Sequence, residues 1–134
     1  MSKKEDYKKT NEEYLSAMAS ADSVHPLSGG VLYKVMRAGN KDAASPNINN
    51  VVSVFYKGYL INGKVFDDNT QQPYPDAFRL NTLIGGWQIA LTKMKVGDQW
   101  QIFIPSSLGY GSQSVSGIPK NSTLIFEIEL VSVS

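Results

Sequence analysis

Three short stretches carry the groups able to do chemistry: Val65-Phe66-Asp67, then Trp87 opening a short apolar run, then Gly109-Tyr110-Gly111. Apart, an aromatic beside an acid or between glycines says little. In this order, on a chain rich in β-forming residues, they describe an aromatic-lined cup with one carboxylate at its rim. Such a cup suits a neutral, apolar, conformationally strained guest, not a phosphate, a metal ion or a nucleic acid. Each group also has a plainer reading. Asp67-Asp68 begins a turn, where a carboxylate bonds to nearby backbone N–H groups. Tyr56, Phe66, Trp87 and Phe126 all suit an ordinary core. Tyr110 fits a core less well, because it stands in a Gly/Ser-rich loop over residues 106–120, and long loops in compact domains tend to be functional.

Other chemistries find little support. The single histidine, His25, sits in a Pro/Gly linker with no partner spacing for a triad and no second imidazole for a metal cage. The acidic residues do not fall at calcium-loop spacing, and the glycines form no phosphate cradle. With no cysteine there is no disulfide framework, thiolate nucleophile or Cys-based zinc site. No cofactor is expected. A net charge of +1 argues against a nucleic-acid or anionic-membrane partner held by bulk electrostatics. No apolar run approaches the roughly 18–20 residues of a membrane span. Met1-Ser2-Lys3-Lys4-Glu5-Asp6 lacks the apolar core of a secretory signal, so a cytoplasmic location is expected, although an exported protein in mature form would read the same.

The elements that must position the cup read as follows. A chain of 134 residues suits one compact unit. Residues 1 to about 20 are charged and helix-prone, with Tyr7, Tyr14, Leu15 and Met18 on one stripe. Such an arm either packs on its own domain or makes a dimer contact. His25-Pro26-Leu27-Ser28-Gly29-Gly30 breaks the helix. From Val31 the period becomes two, giving strands near 31–36 and 51–61, and Asn62-Gly63 predicts a type I′ hairpin turn into Lys64-Val65-Phe66. Pro73 and Pro75 bar residues 67–75 from a regular inner strand, and extended structure resumes at 77–80. Trp87, Ala90, Leu91 and Met94 make one apolar helical face. Trp100, Ile102 and Ile104 alternate with glutamines. In the last strand Leu124, Phe126, Ile128 and Leu130 face opposite Glu127 and Glu129. The expectation is α+β: a half-wrapped antiparallel sheet of about five strands around one short α-helix, plus an N-terminal helix. Residues 1–28 would form arm and linker, and 29–134 the main domain.

The stretches Val54-Phe55-Tyr56-Lys57-Gly58, Asn62-Gly63-Lys64-Val65-Phe66-Asp67, Leu83-Ile84-Gly85-Gly86-Trp87, Met94-Lys95-Val96-Gly97-Asp98, Leu108-Gly109-Tyr110-Gly111, Ile118-Pro119 and Thr123-Leu124-Ile125-Phe126-Glu127-Ile128-Glu129-Leu130 together resemble the FKBP-type peptidyl-prolyl cis-trans isomerases, in register from about residue 31 to 134. The N-terminal part looks like a shortened helical lead-in of bacterial macrophage-infectivity-potentiator-like members. The resemblance implies that a substrate proline sits over Trp87, within walls made by Tyr56, Phe66, Leu83, Ile84, Ile118 and Phe126. It implies Asp67 and the Tyr110 hydroxyl as the polar catalytic groups at the rim. Proline-containing polypeptides would be the substrates, with tacrolimus or rapamycin as inhibitors, and the chain would be a monomer or an arm-mediated homodimer.

The sequence departs from the family pattern in three places. Where members often carry an aromatic just before Phe78, Asp76 and Ala77 stand here, so Tyr74 fills that wall or the wall is open. Gly85 implies a looser start to the helix. The segment 112–117 lacks bulky residues over the pocket. A second function class, a proline-peptide binding module or chaperone, would use the same cup without turnover. The pairing of Asp67 and Tyr110 with Trp87 favours the enzyme.

Overall fold

The computed structural model describes residues 3–134. Helix α1 (Lys3–Ala19) leads into β1 (His25–Pro26), β2 (Leu32–Arg37), β3 (Val51–Tyr59), β4 (Val65–Asp68), β5 (Asp76–Arg79), α2 (Gly85–Leu91), β6 (Gln99–Ile104) and β7 (Leu124–Val133). All strand pairs are antiparallel, in the order β1-β2-β6-β7-β3-β4, with β5 also pairing with β3. The α+β expectation holds, with seven strands where the pattern marked about five. One extra strand is the His25–Pro26 pair, which adds to the outer edge of β2, where a proline's missing donor costs no ladder bond. The two short partners of β3, both marked in the sequence, share one of its edges. Val51–Val54 pair with β5, and Lys57–Tyr59 pair with β4.

Alternation along the central strands sorts two faces. Val52, Val54 and Tyr56 of β3, Trp100, Ile102 and Ile104 of β6, and Leu124, Phe126, Ile128 and Leu130 of β7 point inward onto Trp87, Ala90, Leu91 and Met94. Gly86 lets α2 lie close on the sheet, since a Cβ there would stand 2.5 Å from the Ile104 side chain.

On the other face Leu32, Phe103 and Ile125 form a smaller apolar cluster, which Tyr14, Leu15 and Met18 of α1 cover. The arm therefore packs its stripe on its own sheet. Asn11 completes that stripe between Tyr7 and Tyr14 and is buried, its Oδ1 accepting from the Thr123 N–H at 2.8 Å and its Nδ2 donating to the Tyr7 carbonyl at 2.8 Å. The Tyr7 hydroxyl meets Ser122 Oγ at 2.8 Å. Two ties thus fasten the arm to the start of β7.

The β3–β4 turn is not type I′. Only Gly63 has positive φ (88°), the Gly63 N–H bonds to the Leu60 carbonyl, and the Leu60 N–H to that of Lys64. This is a three-residue loop closed by a glycine bulge. Further along, the ladder register shifts at Gly58/Tyr59, where Phe66 is the extra residue of β4. Asn62 contributes its side chain instead of its backbone: Oδ1 accepts the Lys64 N–H at 2.9 Å.

Candidate functional site

Trp87 enters α2 behind Leu83 and Ile84, which leave a 3-10 turn in extended conformation and deliver the indole under the sheet's concave face. Three rings stand edge-to-face with it: Tyr56 at 5.1 Å and 81°, Phe126 at 5.1 Å and 90°, and Phe78 at 6.1 Å and 87°. Perpendicular aromatic pairs of this kind set ring edges against ring faces and hold each ring in place. They enclose a cavity of about 180 Å³ lined by Tyr56, Asp67, Phe78, Leu83, Ile84, Trp87, Tyr110 and Phe126.

The rim is polar at two points. Asp67 on β4 accepts a hydrogen bond from the Tyr56 hydroxyl, Oδ2 lying 2.7 Å away. Burial above all, and then this hydrogen bond and the charge of Asp67, raise the Tyr56 phenol well above its usual range. It therefore stays a proton donor, holding the exposed carboxylate in a fixed orientation. Tyr110 rises from a loop braced at its base, where the Gly111 N–H bonds to the Ser106 carbonyl at 2.7 Å and the Asn121 N–H to that of Gly111 at 2.9 Å. Tyr110 is 37 % exposed, and its hydroxyl makes no hydrogen bond to another described residue. A free donor thus lines the same cavity as the carboxylate.

At the floor, Trp87 Nε1 is the one buried side-chain nitrogen or oxygen among the described residues without a hydrogen-bond partner. An orphaned buried donor costs about 1–3 kcal/mol, and such groups are concentrated where function retains them.

Seven of the nine residues expected at the site line this cavity together: Tyr56, Asp67, Leu83, Ile84, Trp87, Tyr110 and Phe126. Phe66 and Ile118 do not. Phe66 packs edge-to-face on Phe126 at 5.5 Å and 88°. Gly58 makes that stacking possible, since a Cβ would lie 2.6 Å from Phe126 and 2.7 Å from Phe66. Ile118 is buried in the core and opens onto a separate concavity with Leu60 and Val115. Tyr74 does not fill the doubtful wall, being 77 % exposed. Phe78 fills it. On β5, Asp76 and Phe78 share the less exposed face and Ala77 and Arg79 the exposed one, an alternation that the residue types Asp-Ala-Phe-Arg do not announce. Nor is the start of α2 loose at Gly85, where a Cβ would come within 2.9 Å of Leu108 and push the Tyr110 loop away.

A larger concavity of about 420 Å³ lies on the outer face among Phe55, Lys57, Thr70, Gln99, Glu127 and Glu129. It is polar, lacks converging aromatic rings, and its glutamates are already engaged by Tyr59 and Arg37. Among the described residues no group of histidines and carboxylates is placed to hold a metal ion, and no helix is long and apolar enough to cross a membrane.

The family profile of FKBP-type peptidyl-prolyl cis-trans isomerases matches residues 42–131. The peptidyl-prolyl cis-trans isomerase Mip of Coxiella burnetii is 44 % identical over 121 residues, covering 90 % of this chain and 52 % of that protein. A crystal structure of a peptidyl-prolyl cis-trans isomerase from Pseudomonas syringae superposes with a TM-score of 0.90 at 34 % identity, over 100 % of this chain and 98 % of that one. FkpA from Escherichia coli superposes with the same TM-score of 0.90 at 38 % identity, over 98 % of this chain and 61 % of that one. The chain spans about half the length of the curated relatives it matches.

Proposed function

The chain belongs to the FKBP-type peptidyl-prolyl cis-trans isomerase family, and from that premise we propose that it accelerates rotation about X–Pro peptide bonds in polypeptides and so assists their folding. The barrier to that rotation is about 18–20 kcal/mol, because twisting the bond removes amide resonance. Uncatalysed exchange takes tens of seconds or longer. A twisted amide is less polar than a planar one, so a dry aromatic cup binds the transition state better than either ground state. Differential binding of this kind needs no covalent step.

The observation that carries the reading is the convergence in one cavity of Trp87, its three perpendicular rings, the Tyr56-held Asp67 carboxylate and the free Tyr110 hydroxyl. The proline ring packs on the indole. The Tyr110 hydroxyl donates to a substrate carbonyl while the bond turns, and Asp67 biases the same carbonyl electrostatically. Tacrolimus and rapamycin, which are bulky and largely apolar, compete for the cup. The arm's apolar stripe is spent on its own sheet, which supports a monomer over an arm-mediated homodimer.

The test is the cis-to-trans isomerisation of a series of proline tetrapeptides, with and without rapamycin. Fast turnover that rapamycin abolishes is expected. A folded chain that binds the peptides without accelerating them would overturn the enzyme reading in favour of a binding module.

A further inference from the structure

The outer edge of β3 changes partner between Val54 and Lys57, and the backbone groups at that seam have no ladder to join. Asn69, 3 % exposed, occupies the seam. Its Oδ1 accepts the Tyr56 N–H at 2.6 Å, and its own N–H donates to the Tyr56 carbonyl at 3.0 Å. Its Nδ2 donates to the Val54 carbonyl at 3.1 Å and to Asp76 Oδ2 at 3.0 Å. The amide orientation follows from these partners, since a flipped group would set its NH₂ against the Tyr56 N–H and its oxygen against two acceptors.

We propose that Asn69 is a positioning residue of the proline site, locking the Tyr56–Asp67 pair and the Phe78 wall into one frame. Asn69 holds the main chain of Tyr56, whose hydroxyl reaches back to Asp67, two residues before Asn69 on the same segment. That closes a ring of contacts in which neither the carboxylate nor the phenol can shift alone. The second donor hydrogen extends the frame to Asp76, two residues before Phe78 on the same face of β5. A residue needed only to fill the seam would have to satisfy Tyr56 and Val54. The bond to Asp76 goes further, because it ties a third wall of the cup to the other two. Sites depend on such supporting contacts to hold reacting groups within a fraction of an ångström.

The inference rests on the isomerase reading for its kinetic consequence but not for its structural one, so the experiment has two readouts. The first is a double-mutant cycle in kcat/KM on a proline tetrapeptide with Asn69→Ala, Asp67→Ala and both together. Asn69→Ala is expected to cost about tenfold in the native background and less than about twofold once Asp67 is gone, because coupled residues are non-additive. Equal losses in the two backgrounds would overturn the proposal and leave Asn69 a seam filler. The second readout is the NMR signal of the Tyr56 hydroxyl proton, expected to be protected in the native chain by its bond to Asp67 and to broaden by exchange in Asn69→Ala. An unchanged signal would also overturn the proposal. If the native chain does not accelerate isomerisation, the function reading falls while this signal still decides the role of Asn69. Should Asn69→Ala not fold, Asn69→Asp keeps an acceptor for the Tyr56 N–H but opposes both the Val54 carbonyl and Asp76, and Asn69→Asp with Asp76→Asn returns a donor at Asp76 alone. Loss of activity and of the protected signal in the first, with partial recovery in the second, supports the frame. Equal behaviour of both with the native chain refutes it.

Discussion

The Tyr56 hydroxyl reaches Asp67 across the β3–β4 pair at 2.7 Å, so one residue supplies both an aromatic wall and the donor that aims the rim carboxylate. Tyr56→Phe separates the two roles. The ring and its contact with Trp87 remain, while Asp67 loses its donor. A hydrogen bond to a charged acceptor contributes about 1.5–3 kcal/mol, of which part is replaced by water at the exposed carboxylate. We expect kcat/KM to fall between about threefold and tenfold, mostly in kcat, with little change in Tm. A variant as active as the native chain would remove Asp67 orientation from the mechanism.

Tyr110→Phe removes the one free hydroxyl of the cup. The loop's backbone bonds do not involve it, so thermal unfolding should be unchanged within error. Isomerisation should slow by about an order of magnitude, the range for one neutral hydrogen bond to a substrate carbonyl. Side-by-side kinetics and calorimetry check both halves.

Phe78 and Tyr74 make a matched pair. Phe78→Leu shortens a wall that stands edge-on to both Trp87 and Tyr56, and KM for a tetrapeptide is expected to rise several-fold with a smaller effect on kcat. Tyr74→Ala should leave tetrapeptide kinetics within about twofold, because its ring lies outside the cavity. The opposite ranking would mean that the wall has been misplaced.

Much of this arrangement was legible before the fold. The two-residue period of β7 and the four apolar positions from Trp87 to Met94 marked the core, because burial on one face imposes a period that no other constraint disturbs. The polar residues that are buried were not legible. Asn69 lies in a hydrophilic stretch with five other polar residues and reads as loop, since its partners Tyr56 and Val54 are brought to it only by the β3 seam. Asn11 shows the same limit, sharing a helical face with Tyr7 and Tyr14 yet buried by the start of a strand more than a hundred residues away. Phe66 and Ile118 fall outside the lining of the Trp87 cavity. Motif order fixes neighbourhood along the chain, whereas the ring contact of Phe66 with Phe126 depends on the space that Gly58 leaves across β3.

Asn11→Ala leaves the Thr123 N–H buried without its acceptor, which should cost about 1–3 kcal/mol in urea unfolding. Asn11→Asp keeps the acceptor and should recover part of that loss. An Asn11→Ala chain as stable as the native one would mean that the arm is docked by its apolar stripe alone.

The Tyr59 phenol is pushed up to about 12, by burial first and by its hydrogen bond to Glu127 second. A raised value in the folded chain means that this contribution to stability is complete below about pH 10, where the unfolded phenol is still protonated. It is lost as pH climbs from there to about 12. Tm should therefore decline through that alkaline window, and Tyr59→Phe should flatten the decline while lowering Tm at neutral pH. Parallel Tm–pH curves for the two chains would exclude Tyr59 as the source.

Because β4 and β5 dock on β3 separately, each with its own register, the six residues between Asn69 and Asp76 carry none of the sheet's ladder. Their length and composition can change without moving a wall of the cup, so long as Asn69 and Asp76 remain to close the seam. The fold thus has a replaceable tip beside an unchanging reaction centre. Insertions grafted there could redirect the same chemistry to new polypeptides, and lineages could diversify at that point without rebuilding the sheet.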